Sequence, residues 1–287
     1  MDGFVCLLKP PGMTSSNAVY DVRRIFSEKR AGHLGTLDPG AAGVLPICIG
    51  RATRLFDFLV DKQKQYVCEI AFGVQTDTQD VYGRVTASDN RVITPDELAD
   101  VIPLFIGVQQ QTAPIYSALK VDGKKMYDLA RAGAEVQSKT REITISELTL
   151  FEQTGVNRYL LRLNCSRGTY VRTICEDIGR KLGSVAHMSL LVRTASGPFT
   201  LEKSHSVVEL ETLKAENRLN ETVISCEEAL SFLPRIDLPA DRRTPTMNGL
   251  ETTCAQWKDT DVRVYCDGFL GIGAVTNNRL KLTVHLY

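Results

Sequence analysis

The sequence predicts an α+β protein, with a mixed, mostly antiparallel sheet flanked by helices and a small all-β module after it. Apolar residues alternate with period two over residues 66–72, 143–151 and 159–165, as in half-buried strands. Helical spacing instead governs Val19, Val22, Ile25 and Phe26, and again Val171, Ile174, Cys175, Ile178 and Leu182. Beyond Pro234, Pro239 and Pro245 only short alternating stretches remain. With 287 residues, the chain is long enough for one large domain and a small partner. Hydrophobic residues at 43% and charged residues at 24% exclude disordered and fibrous classes.

Taken in order, residues 4–8 read as a strand stopped by Lys9-Pro10-Pro11-Gly12. A helix follows, from the N-cap oxygens of Thr14, Ser15 and Ser16 to the basic end at Lys29-Arg30. Between Gly32 and Gly40, three glycines and a proline exclude both a regular helix and a central strand, so a loop is expected. Residues 66–72 form a strand with which 82–85 is expected to pair, and 95–104 reads as a helix. A polar stretch, 109–125, precedes a short amphipathic helix at 126–132. Residues 143–151 and 159–165 resemble a hairpin, and the helix through Val171 to Leu182 ends at Gly183, the usual place for a C-terminal glycine. A further helix is expected at 227–232 and a linker near 233–240. These divide a domain of residues 1–232 from a β domain of residues 233–287.

Eight cysteines lie scattered from Cys6 to Cys266 without a Cys-x-x-Cys pair, which points to buried reduced thiols and argues against structural zinc. No metal is expected. No apolar run approaches the roughly 20 residues that span a bilayer, and the start lacks a basic signal-peptide region, so no membrane association and a cytoplasmic location are expected. The zero net charge hides a pattern: residues 1–64 carry +3, 65–110 carry −5, 111–200 carry +5 and 201–287 carry −3. Two basic segments folded onto one face would track a phosphate backbone; the alternative is a scatter of solvated charges.

Asp38 stands out because its loop is rigidly bent and Ala41-Ala42 leave room beside it. Taken alone, an aspartate in a turn more often bonds its own backbone. The wider pattern, Gly32-His33-Leu34-Gly35-Thr36-Leu37-Asp38-Pro39-x-Ala41-x-Gly43-Val44-Leu45-Pro46, closely resembles the aspartate loop of TruB-type tRNA pseudouridine synthases. The resemblance continues in Lys9-Pro-Pro-Gly-Met-Thr-Ser15, in Lys64-Gln-Tyr66 through Gly73, and in Tyr116-Ser-Ala-Leu-Lys120 with Gly123 and Tyr127. It extends through Gly168-Thr-Tyr170-Val-Arg172 and Leu191 with Arg193, covering roughly residues 3–200. The tail from Phe269 to Tyr287 resembles the PUA-like domain of bacterial members, and Ala113 departs from the proline usual before Pro114.

This resemblance implies the pseudouridine synthase fold and isomerisation of uridine 55 in the T-loop of tRNA, without a cofactor. The glycosidic bond would be cut at N1 and remade at C5 of the same base, with Asp38 as nucleophile on a flipped-out nucleotide. Arg172 would hold the carboxylate through a charge-assisted pair. Tyr66, as a lone strand tyrosine more often core, would pack against uracil and move a proton. His33, by itself an ordinary solvated loop histidine, would support the gap left by the extruded base. Lys9, Lys120, Tyr170, Leu191 and Arg193 complete the implied substrate site, by seating the pocket or, for Arg193, by electrostatic support. The implied partner is the T-arm stem-loop of tRNA, bound by a monomer that needs no protein partner. A tRNA-folding chaperone without turnover is the alternative, against which Asp38, Tyr66 and Arg172 together argue. A synthase working within a guide-RNA particle fits less well, because the tail is short and long basic extensions are missing.

Overall fold

Strand β1 (Gly3–Lys9) is buried along almost its whole length because both faces of its sheet are covered. Val5 and Leu7 enter one core, Phe4 and Cys6 the other. The computed structural model describes residues 1–116, 120–121, 124–125 and 140–287, for residues 120, 121, 124 and 125 in backbone only. After β1 come β2 (Ala31–His33), β3 (Ala42–Ile49), β4 (Lys64–Phe72), β5 (Val74–Thr76), β6 (Val85–Ser88) and β7 (Gly107–Thr112). They are followed by β8 (Lys120–Val121), β9 (Lys124–Lys125), β10 (Thr140–Gly155), β11 (Arg158–Cys165), β12 (Ala186–Ser196), β13 (Phe199–Thr200) and β14 (Val223–Ile224).

The main sheet runs β14-β1-β3-β12-β4-β11-β10-β7, with β2 paired to β3 and β13 to β12. Every pairing along it is antiparallel except β3 with β12, so the mixed, mostly antiparallel sheet is as expected. The helix Ser15–Phe26 begins where the Thr14 hydroxyl accepts the Asn17 N–H at 3.1 Å and stops at Ser27, which adopts a left-handed conformation. It therefore ends before the expected Lys29-Arg30. The helix Val171–Lys181 turns Ile174, Cys175 and Ile178 into the same core, and Gly183 follows its end with φ +68°.

Several expectations are corrected. Residues 82–85 do not pair with β4, whose two edges are taken by β11 and β12. Residues 80–83 instead form a turn, and β6 folds back onto β5. Gly32 and His33 belong to the short peripheral strand β2, and part of the polar stretch 109–125 is the edge strand β7. The helix at 227–232 is a single turn, Cys226–Ala229. Within the linker 233–240, β15 (Arg235–Asp237) already joins the second sheet. The expected helix at 126–132, with Gly123 and Tyr127, lies outside the described residues.

That second sheet adds β16 (Thr252–Thr253), β17 (Thr260–Tyr265), β18 (Phe269–Thr276) and β19 (Arg279–His285) in the order β15-β17-β18-β19-β16. It has its own core around Val262, Val264 and Leu280. Ile272, however, is buried in a core that contains Phe4, Ile224, Cys226 and Leu230 from the rest of the chain, and Phe269, Val284 and Leu286 pack beside it. All eight cysteines are buried and free. Among the described residues no helix is long and apolar enough to cross a membrane.

Candidate active site

One register line across the main sheet organises the site: Lys9 on β1 lies opposite Gly43 on β3, Gly43 opposite Arg193 on β12, and Arg193 opposite Tyr66 on β4. Directly paired residues share a face, so Lys9, Arg193 and Tyr66 stand in a row at strand spacing. Gly43 has φ +108°, and a Cβ there would sit 2.2 Å from the Arg193 carbonyl oxygen, so only glycine lets β3 and β12 approach at this point.

Both cations of the row are fully buried and spent on backbone. The Lys9 ammonium donates to the carbonyls of Pro10 (2.9 Å), Met13 (2.8 Å) and Pro39 (3.2 Å). Burial lowers its pKa to about 8, with the Asp38 carboxylate pulling the other way. Arg193 donates to the carbonyls of Val44 (2.7 Å), Thr36 (3.3 Å) and Gly35 (3.3 Å). Neither faces the solvent from which a substrate arrives; each grips the loop that carries Asp38. Ser15 grips it too, since its hydroxyl accepts the Leu37 N–H at 3.0 Å and donates to the Leu37 carbonyl at 2.9 Å. The Gly12 N–H adds a bond of 2.8 Å to Pro39.

Asp38 emerges from this clamp with its side chain 41% exposed, 3.0 Å from a guanidinium nitrogen of Arg172, whose side chain is 7% exposed. Arg172 sits in the first turn of the helix Val171–Lys181. Its other contacts are the carbonyls of Thr78 (3.1 Å) and Tyr116 (3.2 Å) and the Asp80 carboxylate at 3.7 Å. A buried cation held at several points thus aims an accessible carboxylate. Such a carboxylate can attack an electrophilic carbon and later leave it.

Tyr66 is half-buried and packs against the core. Burial pushes its phenol above the ordinary range; the Arg193 charge opposes this and the Asp38 charge adds to it. The phenol therefore keeps its proton at neutral pH. Leu191 is buried beside it, paired with Cys68. His33, on β2, pairs with Ile47, and its buried Nδ1 has no hydrogen-bond partner among the described residues. Burial and the Arg193 charge lower its pKa, favouring the neutral imidazole. Tyr170, just before Arg172, is pinned by Gln111, which accepts its N–H at 2.8 Å and donates to its carbonyl at 3.0 Å. Its hydroxyl accepts from Arg141 at 3.0 Å. The backbone of Lys120 pairs with Lys125, and its side chain lies outside the described residues.

The sequence reading missed Asp80, Gln111 and Arg141, and offered Ser15 as a helix N-cap, a role Thr14 takes instead while Ser15 holds Leu37. The run Thr76-Asp77-Thr78-Gln79-Asp80 after a strand was the available signal for the first. Nothing local distinguishes Gln111 from its neighbouring glutamines. Among the described residues no group of three or more His, Cys, Asp or Glu side chains could hold a metal ion.

Residues 23–171 match the family model described as TruB family pseudouridylate synthase (N terminal domain), and residues 172–231 match tRNA pseudouridylate synthase B C-terminal domain. The chain belongs to the TruB family of pseudouridylate synthases. Its enzyme class is accordingly an isomerase. The tRNA pseudouridine synthase B of Bacillus cytotoxicus is 46% identical over 257 residues, covering 87% of this chain and 84% of that protein. That of Pelotomaculum thermopropionicum is 44% identical over 241 residues, covering 82% and 76%. Among solved structures, an H/ACA RNP bound to a substrate RNA containing 2′-deoxyuridine superposes with TM-score 0.76 at 22% identity, over 99% of this chain and 85% of that one. An archaeal box H/ACA sRNP Nop10-Cbf5 complex gives 0.72 at 24%, over 99% and 85%. These likenesses carry the fold: a pseudouridine synthase sheet with a PUA-like β sheet at the C-terminus. The two family models meet between Val171 and Arg172, in the first turn of a helix whose flanking strands β11 and β12 belong to one continuous sheet.

Proposed function

We propose that this chain converts uridine 55 in the T-loop of tRNA to pseudouridine, with Asp38 as the nucleophile. The observation that carries the reading is the accessible Asp38 carboxylate held 3.0 Å from the buried Arg172 guanidinium in a member of this family. A chaperone without turnover would have no use for such a pair. The reaction breaks the N1–C1′ bond and forms C5–C1′; the C5 proton leaves and N1 gains one, so no outside reactant enters. The uridine must leave its stack, because the exchanged atoms are otherwise covered. Asp38 attacks the flipped nucleotide, Arg172 holds the carboxylate's direction, and Tyr66 packs on the base: its phenol, protonated at rest, gives its proton to N1 and as phenoxide takes the C5 proton, so it ends as it began. Lys9 and Arg193 act by fixing the aspartate loop, while His33, Tyr170, Leu191 and Lys120 shape the pocket. The decisive assay is nucleoside analysis of a T-arm stem-loop after incubation with the protein.

Tyr66 separates into ring and hydroxyl. Tyr66→Phe should slow single-turnover conversion by roughly a hundredfold or more while RNA binding stays near normal, the range expected when a proton-transfer group is lost. Tyr66→Leu should lose packing as well as rate. Equal rates for Phe and wild type would leave only the ring with a function.

The division into a catalytic domain of residues 1–232 and a PUA-like domain of residues 233–287 belongs to the same reading, with the second part adding tRNA contacts but no catalytic group. The protein would act in the cytoplasm as a monomer. Four cations of the two basic segments, Lys9, Lys64, Arg172 and Arg193, are buried and unavailable to phosphates. Salt dependence should therefore be moderate. If about four phosphates are neutralised, affinity for the hairpin should fall roughly fifty- to a hundred-and-fiftyfold between about 50 and 200 mM salt. A flat titration would remove the electrostatic groove.

A further inference from the structure

Tyr82 is 72% exposed, yet its ring lies hard against the loop that carries the candidate nucleophile. A Cβ on Gly40, two residues beyond Asp38, would fall 2.1 Å from ring carbon Cε2, so residue 40 must lack a side chain for the ring to occupy this place. The backbone beneath the ring is over-determined. The Tyr82 N–H donates to the Asp80 carboxylate at 3.0 Å, the Gly83 N–H to the Asp80 carbonyl at 3.3 Å, and the Val81 N–H to the Met188 carbonyl at 3.1 Å. The Thr78 hydroxyl holds the same Asp80 oxygen at 2.6 Å, and the carboxylate's other oxygen faces Arg172, which in turn holds Asp38. Burial of apolar area does not explain an aromatic ring set so exposed on so rigid a turn.

Resting on the proposed function, we infer that Tyr82 is a stacking platform for the RNA base next to the extruded uridine. Flipping a nucleotide uncovers the face of its neighbour, and an aromatic ring fixed at the rim of the pocket covers that face again. The contact is tolerant of base identity, because every base offers a π-face. It stabilises the opened loop and so contributes to RNA binding rather than to bond rearrangement. Tyrosine suits the task, with a flat apolar body and few rotatable bonds to immobilise.

The test uses the full chain carrying Asp38→Asn, which binds without turning over, and T-arm stem-loops in which 2-aminopurine replaces each base flanking the target uridine in turn. One flanking position should lose fluorescence on binding. That quenching should persist in Tyr82→Phe and vanish in Tyr82→Leu. Affinity should fall about tenfold for Leu and stay within about twofold for Phe, in keeping with stacking on an aromatic side chain. Replacing the quenched base by an abasic ribose should weaken the Asp38→Asn protein by a similar factor and weaken the Asp38→Asn, Tyr82→Leu protein no further. Unchanged melting temperature in Tyr82→Leu, expected for so exposed a side chain, ties the loss to the contact. Quenching and affinity unaltered by Leu, or losses that simply add, would overturn the platform while leaving the function intact if the wild type forms pseudouridine. A wild-type protein that neither binds nor converts the hairpin would overturn both.

Discussion

Asp38→Asn should abolish pseudouridine formation, lowering the single-turnover rate by at least about a thousandfold, as removal of a nucleophile does. Affinity for the T-arm hairpin should stay within about threefold. The substitution keeps shape and removes charge, and the loop that holds residue 38 is fixed by groups on its neighbours: Lys9 at Pro39, Ser15 at Leu37, and Arg193 at Gly35 and Thr36. Arg172 retains the Thr78 and Tyr116 carbonyls and the nearby Asp80 carboxylate, so the buried cation is not left bare. Reversion by deamidation is closed as well. Its cyclic intermediate needs the N–H of the following residue, and residue 39 is proline. Rapid quench of a labelled hairpin with nucleoside analysis gives the rate; conversion near the wild-type value would end the nucleophile assignment.

Deleting residues 234–287 should cost most of the protein's stability, although no proposed catalytic group lies there. The cut removes Ile272 from the core that contains Ile224, Cys226 and Leu230, and strips Phe269, Val284 and Leu286 from its edge. Burying a large aliphatic or aromatic side chain stabilises by about 1.5–3 kcal/mol, so the sum, reduced for partial burial, is on the order of 5 kcal/mol. That is comparable with the net stability of a whole domain. The bond from Arg54 to the His285 carbonyl is lost too. The shortened protein should melt roughly 10–20 °C lower and aggregate through its uncovered face. Differential scanning calorimetry of both proteins decides this. A truncated chain melting within a few degrees of full length would show that the junction contributes little.

Where side-chain periodicity was intact, the fold could be read in the chain: the hairpin of β10 and β11 and the helix ending before Gly183 appear as expected. The centre of the sheet was hidden. β3, Ala42-Gly-Val-Leu-Pro-Ile-Cys-Ile, is buried on both faces and so does not alternate, and its Pro46 argues locally against a central strand. In β12 the alternation is broken by register shifts between Met188 and Leu190 and between Arg193 and Ala195. For the site, the motifs led to Asp38 and Arg172, which the fold brings together. They carried the cationic character of Lys9 and Arg193 but not its use, because burial is a property of the assembled sheet. Asp80 reaches the site only through Arg172, and Gln111 only through Tyr170, both partners distant in sequence.

The parallel contact between β3 and β12, with Gly43 beside Arg193, also sets the order in which a nascent chain can become active. Asp38 and its loop are synthesised early, but Arg172, which pairs with Asp38, and Arg193, which clamps its loop, emerge far later, at translation speeds of about 5–20 residues per second roughly 7 to 30 seconds afterwards. Until then β3 lacks the neighbour that joins it to β4, and the N-terminal third holds only local pairings. β1 waits longer still for β14. The half-made polypeptide on the ribosome therefore carries its acid side chain in an unformed pocket, and competence arrives in one late step when the C-terminal strands close the sheet.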